Sequence, residues 1–103
     1  MKIPKKLKVG GKTYIVEKTS SLKFGQYNCS GEIDYKDLEI RILPTAIDRM
    51  EASFIHEMVH AIYDHLGYKE HDEKEVDELA NALHMVIKDN QQVFEQKREE
   101  LNN

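Results

Sequence analysis

A single cysteine, Cys29, is present among 103 residues, so no disulfide can close within the chain and no zinc finger built on paired cysteines can form. A reduced, cytoplasmic setting is the expectation, with Cys29 a poor candidate for a nucleophile. The five glycines are scattered and build no phosphate-cradling loop, so no nucleotide, flavin or haem chemistry is indicated. Long apolar runs are missing too. The stretch from Met1 to Lys8 carries charge without an apolar segment behind it, and nothing later approaches the ~18 uncharged apolar residues of a membrane span. Positive charge is in deficit, with 15 Lys and Arg against 19 Asp and Glu, a net charge of −4 and a pI near 5.7. That balance argues against a nucleic-acid footprint over the whole surface, and the basic cluster Lys2, Lys5, Lys6 and Lys8 reads as a solvated terminus. With 40% apolar residues the chain suffices for one compact domain with a modest core, expected over residues 1–90, followed by a charged tail over 91–103.

What is present is the segment His56-Glu57-Met58-Val59-His60, an HExxH pattern. On a helix, residues at i and i+4 project on one side with Cβ atoms about 5–6 Å apart, so both imidazoles can reach one ion at ~2.0–2.1 Å. Glu57 sits just off that line. There it can take the proton of a zinc-bound water without occupying a ligand position, the division of labour this pattern encodes in metalloproteases.

The helix is argued independently of the motif. Thr45, after Pro44, is placed to cap a first turn, with Asp48 bonding back in an Asp version of the capping box, which predicts a helix over 45–66. Ile47, Met50, Phe54, Ile55, Met58, Val59, Ile62, Tyr63 and Leu66 recur at three- and four-residue steps, and Gly67 supplies a stop. Asp64 extends the histidine stripe by another turn and is a candidate to hydrogen-bond a histidine's second nitrogen.

Two histidines do not hold zinc firmly, so a third protein ligand is needed. After His71, an acidic run settles into apolar spacing at Val76, Leu79, Ala80, Leu83, Val86 and Ile87, which predicts a second helix over 72–90 starting near Asp72. Glu73 and Glu75 flank its buried face about equally, and each alone also reads as an acid favouring the helix dipole. The Glu73 side carries Asp77, Ala80 and His84, whereas the Glu75 side carries Leu79, Ala82 and Val86. The wetter side suits a metal better.

HEMVHAIYD followed by Glu73-Lys74-Glu75-Val76-Asp77-Glu78-Leu79-Ala80 resembles the minimal zincins of bacteria and phages, the ImmA/IrrE-like metallopeptidases, with their HExxH helix and a later E-x-x-A-N-x-F-A helix. The resemblance covers roughly residues 54 to 87. It implies a zinc-dependent peptidase with His56 and His60 as ligands, Glu57 as base, Glu73 as third ligand with Glu75 as fallback, and Asp77 at the family's Asn/Asp position. It also implies a protein or peptide substrate, a repressor-like regulator among the options, and a phage or prophage origin. Val76 replaces the family's Ala, and Leu79 its Phe. A catalytically silent zinc-binding regulatory or interaction module is the alternative reading.

Residues 1–43 read as β structure, with one hairpin turning at Gly10-Gly11 and another at Lys36-Asp37 between Glu32–Tyr35 and Leu38–Ile42. Leu22, Phe24 and Tyr27 are candidates for a short strand between them. Alternation sends Leu38, Ile40 and Ile42 to a core face and Glu39 and Arg41 to a solvated one. The expected fold is therefore α+β, a small N-terminal antiparallel sheet packed on two main helices, with a charged helical tail whose Val93, Phe94 and Leu101 offer a small stripe for self-association. An extended peptide could pair with an exposed edge, the Leu38–Ile42 strand or a neighbour. An oxyanion-steadying group is also expected, with Tyr27, Tyr35, Tyr63, Tyr68, His71 and His84 all conceivable. The tyrosines are otherwise strand or core-edge aromatics, and His65 and His71 surface residues near a helix end.

Overall fold

A computed structural model describes residues 1–24 and 30–94. Tyr27, Cys29 and the Leu101 end of the tail lie outside the described residues. Among the described residues four strands come first, β1 (Lys6–Val9), β2 (Lys12–Lys18), β3 (Gly31–Asp34) and β4 (Glu39–Ile42). Three helices follow, α1 (Ile47–His65), α2 (Glu73–Asp89) and the short α3 (Gln91–Phe94). The fold is α+β, as the pattern of elements predicts.

The first hairpin turns on two glycines, with Val9 opposite Lys12 and Gly10 at φ +61°, the left-handed conformation a two-residue turn requires. The second hairpin turns at Tyr35–Leu38, where Asp34 Oδ1 accepts the N–H groups of Lys36 (3.1 Å) and Asp37 (2.9 Å). Across the sheet the order is β1-β2-β4-β3. Both hairpins are antiparallel, but β2 and β4 run parallel, so the sheet is mixed rather than antiparallel throughout. The cause is the long connection after β2, which lets the chain return and slot β4 beside β2 in the same direction, leaving β3 outside. Leu22 and Phe24 form no strand. The edge next to the helices is therefore β3; β4, the first candidate for an exposed edge, is interior.

The helices stack on one face of this sheet. Alternate residues Tyr14 and Val16 of β2 and Ile40 and Ile42 of β4 are buried against Phe54, Ile55 and Val59 of α1, and α2 closes the far side of α1 with Val76 and Ala80. Each fully buried side chain of this size contributes roughly 1.5–3 kcal/mol of transfer free energy. The remaining apolar positions of the α2 pattern divide: Leu83 and Ile87 pack on the core, while Leu79 and Val86 face outward.

The outer sheet face is less solvated than alternation predicts. Arg41 is only 2% exposed because Glu32, Asp34 and Glu39 surround its guanidinium and Phe24 lies across it, 5.6 Å from ring centroid to Cζ. Glu32 also accepts the N–H groups of Lys23 (2.9 Å) and Phe24 (3.0 Å), tying the segment before β3 over that face. A charged residue in an alternating strand thus became a buried one once three acids arrived to pair with it.

The helix ends around the site differ. Thr45 does not cap α1: the helix begins at Ile47 after Ala46, with no side-chain cap, and Asp48 instead pairs with Lys88 of α2 at 3.1 Å. At its other end the Gly67 N–H donates to Asp64 O and the Tyr68 N–H to Tyr63 O, both at 3.0 Å, with Gly67 at φ +91° and the rings of Tyr63 and Tyr68 in contact. This is a Schellman stop with its accompanying hydrophobic contact. Asp72 caps α2, its Oδ1 accepting from Lys74 N at 2.9 Å and Glu75 N at 3.3 Å. The loop between α1 and α2 is thereby fixed at both ends.

Candidate metal centre

His56 and His60 lie one turn apart on α1, and their rings are 5.0 Å apart between centroids. The first turn of α2 passes over them. Glu73 Oε1 stands 3.1 Å from His60 Nε2, and Glu73 Oε2 stands 3.4 Å from His56 Nε2. One ligand atom from each of these three residues falls within 4.8 Å of the other two. The packing of α2 on α1 through Val76 and Ala80 sets the Glu73 and Asp77 side beside the two histidines. Glu75 lies outside this cluster.

The other members of the neighbourhood separate into partners and bystanders. Asp77 Oδ1 lies 3.5 Å from His56 Nδ1, on the ring edge away from Glu73. Asp64 does not reach a histidine; it pairs with Lys12 Nζ at 3.1 Å, because the last turn of α1 leans on the first hairpin. His60 Nδ1 is instead 2.8 Å from His71 Nδ1, in the loop before α2. His84 is drawn to the buried Glu51 at 3.0 Å, two turns before Glu57 on α1 and apart from the three-residue cluster. His71 had looked like a surface residue because it sits outside any periodic element, and only the closure of the loop brings it to His60. A second acidic group, Asp34, Asp37 and Glu39, also comes within ligating separation. There Arg41 already pairs with Asp34 and Glu39, and Asp34 Oδ1 serves the turn.

Glu57 is 6% exposed, on the α1 side that faces β3. Its carboxyl is pushed up to about 8 by burial, and further by the negative charges of Glu73 and Glu32. The close approach of β3 depends on Gly31: a Cβ there would stand 3.1 Å from Arg41 O and 3.4 Å from Glu57 Oε2. Burial holds the His60 imidazole below its ordinary value despite the pull of Glu73, and the charges of His56 and His71 act in the same direction as burial. A neutral imidazole is the form that binds metal.

Two open cavities meet at Gly31, His56 and Glu57. One, about 740 Å³, runs past Ser53, Arg49 and Asn81 towards the end of β4. The other, about 540 Å³, is bounded by Ile33, Tyr35, His60 and Glu73. Tyr35 was one of several conceivable polar aromatics, and its place in the turn after β3 sets it in the same cavity as the histidines. Its phenol is pushed above its ordinary value by burial first and by the charge of Glu57 next, so it keeps its proton and remains a donor. Leu43 N–H donates to Ser30 O at 3.0 Å, which marks that opposed pair as hydrogen-bonded; by alternation Ile33 turns its N–H and C=O away from β4, toward the outer edge beside this cavity.

Comparison with family models, with curated proteins and with solved structures gives no match for this chain.

Proposed function

We propose that the protein is a zinc-dependent peptidase built like a minimal zincin, with His56, His60 and Glu73 as the ligands. The observation that carries this reading is the convergence of those three donors from two helices with Glu57 beside them. Two imidazoles and one carboxylate are a donor set used by catalytic zinc, which keeps a fourth position open. Zinc bound there would polarise a peptide carbonyl and acidify water.

The chain's own groups supply the remaining work. An extended peptide pairs with the outward backbone groups of β3 around Ile33, in the groove formed by the two cavities. Glu57 takes a proton from water and hands it to the leaving amine, a role that its place beside His56, His60 and Glu73 in one cavity allows. Tyr35 donates a hydrogen bond to the developing oxyanion. Asp77 orients His56 through Nδ1. Among the described residues no helix is long and apolar enough to cross a membrane, and the cytoplasm is the compartment we propose.

Metal analysis of the purified protein beside His60→Ala tests the centre, with one zinc per chain expected in the first and none in the second. Digestion of a peptide library by wild type and Glu57→Gln tests the chemistry. Glu57→Gln should keep its zinc and lose turnover, and cleavage persisting in that variant overturns the role of Glu57. Zinc bound by wild type without any cleavage would leave a binding module rather than an enzyme.

A further inference from the structure

We infer that the larger of the two cavities is a substrate subsite for a carboxylate, an acidic side chain of the bound peptide, and that Arg49 is the residue that selects it. The inference rests on the peptidase reading above and names the chemical class of substrate that the groove prefers.

Arg49, Ser53 and Glu57 recur at four-residue steps on α1 and so share one side of the helix, and all three line the cavity of about 740 Å³ beside Gly31. Arg49 is the one Lys or Arg in that lining. Its neighbours three and four positions away on the chain are Thr45, Ala46, Ala52 and Ser53, none of which offers a carboxylate. Nearby acids are engaged elsewhere: Asp48 pairs with Lys88 at 3.1 Å, and Asp77 faces His56 Nδ1. Among the described residues Arg49 has no ion-pair partner, which leaves its five N–H donors to a ligand.

A second donor stands one turn away. Ser53 Oγ and Ser30 Oγ are 2.9 Å apart, and Ser53 is only 7% exposed. A hydrogen bond between two hydroxyls uses one hydrogen, so the other hydroxyl keeps an O–H to donate at the cavity wall. The two acids of the lining, Glu57 and Asp77, stand at the histidine end. A group with acceptors only and a single negative charge fits this division, and a guanidinium can hold a carboxylate through two parallel bonds. A phosphate would bring nearly two charges against one cation, with two acids close by. Leu43, Pro44 and Ala52 complete the wall and suit the methylene stem of an acidic side chain.

The helix also sets the distance. Arg49 precedes Glu57 by eight positions, about 12 Å at the rise of an α-helix. An extended peptide advances about 3.3–3.4 Å per residue, which puts the selected side chain about two to four residues from the scissile amide.

The test walks one Glu through blocked, otherwise uncharged decapeptides and measures kcat/KM with the full chain supplied with zinc, each Glu peptide beside its Gln counterpart. Because Arg49 is exposed, wild type should prefer Glu by about three- to tenfold, at one position in that range and at no other. Arg49→Lys, which keeps the charge and loses the fork, should retain part of the preference. Arg49→Gln should abolish it, and Arg49→Glu should reverse it in favour of Lys at the same position. Thermal melts and zinc content equal to wild type show that each variant is folded. Equal rates for Glu and Gln peptides overturn the inference, as does a preference that survives in Arg49→Gln. A peptide whose sole carboxylate is its free C-terminus separates the two sources of that group: a preference for it alone overturns the side-chain assignment. Should wild type cleave none of the peptides, the peptidase reading falls, and fluorescence anisotropy of the same labelled peptides then decides the role of Arg49. Tighter binding of a Glu peptide than of its Gln counterpart, lost in Arg49→Gln, supports the subsite; equal binding overturns it.

Discussion

Glu73 Oε1 lies 3.1 Å from His60 Nε2 although the two residues belong to different helices on either side of a reversing loop. The register of α2 on α1, not the acidity of the segment, singles out this carboxylate. Replacing Glu73 with Ala should weaken zinc binding by more than the roughly 10–100-fold of a change outside the coordination sphere. Glu75→Ala should leave affinity unchanged, since that side chain lies outside the cluster with the histidines. Chelator competition reads both, and a larger loss in Glu75→Ala would move the ligand role to it.

Gly31 is where β3 comes closest to Glu57. A methyl group there meets the Arg41 carbonyl oxygen at 3.1 Å and touches Glu57 Oε2 at 3.4 Å, so Gly31→Ala obliges β3 to shift slightly against β4 beside Glu57. Substrate alignment over the centre should suffer, with turnover down by roughly tenfold and the zinc content unaltered. Steady-state rates and metal analysis on the same preparation separate these effects. Full activity in Gly31→Ala would show that β3 does not position the substrate.

The buried ion cluster on the other sheet face makes the protein acid-sensitive. Burial alone would push the Glu32 carboxyl up, but the N–H groups of Phe24 and Lys23 and the Arg41 guanidinium outweigh it, and the net effect holds the carboxyl below its ordinary 4.5. The folded state thus releases this proton more readily than the unfolded chain. The stability it contributes is present above pH 4.5 and is lost as pH falls through the lower folded value. Glu32→Gln should flatten that acid limb in a plot of Tm against pH, and at neutral pH should cost about 1–3 kcal/mol by weakening the pairing of buried Arg41. An acid limb identical to wild type would assign the sensitivity to other carboxylates.

Gly67 offers a clean backbone test. An added Cβ meets nothing within 4 Å, so any loss in Gly67→Ala comes from its φ of +91° alone. The expected cost is about 1–2 kcal/mol, or a Tm lower by roughly 4–8 °C per kcal/mol for a domain of this size. Gly67→Asn should cost less, since Asn tolerates the left-handed region better. Thermal melts of the three proteins decide it, and equal Tm values would mean that the loop re-forms without the Schellman turn.

Several of these features were legible before any coordinates. The two-residue gap at Gly10-Gly11 predicts a tight hairpin, the acidic run a helix starting near Asp72, and Gly67 a stop, because each depends on atoms only a few positions away. The same locality explains why Thr45 misled: its spacing to Asp48 satisfies the capping pattern, but Lys88 of a distant helix offers Asp48 a charged partner. Arg41 misled for a related reason, since alternation assigns a face without saying what will cover it.

The amino-acid order by itself determined that His56, Glu57 and His60 share one helical neighbourhood, because a 3.6-residue period leaves little choice once the flanking apolar stripe makes the helix. It also determined an α+β chain, from a period near two giving way to a helical one. Only the tertiary structure decided that α2 sets Glu73 rather than Glu75 beside the histidines, that β2 and β4 run parallel with β3 at the edge, and that His71 meets His60. Each of those outcomes depends on how separate elements pack against one another, and packing is a relation between distant stretches of chain that no local repeat encodes.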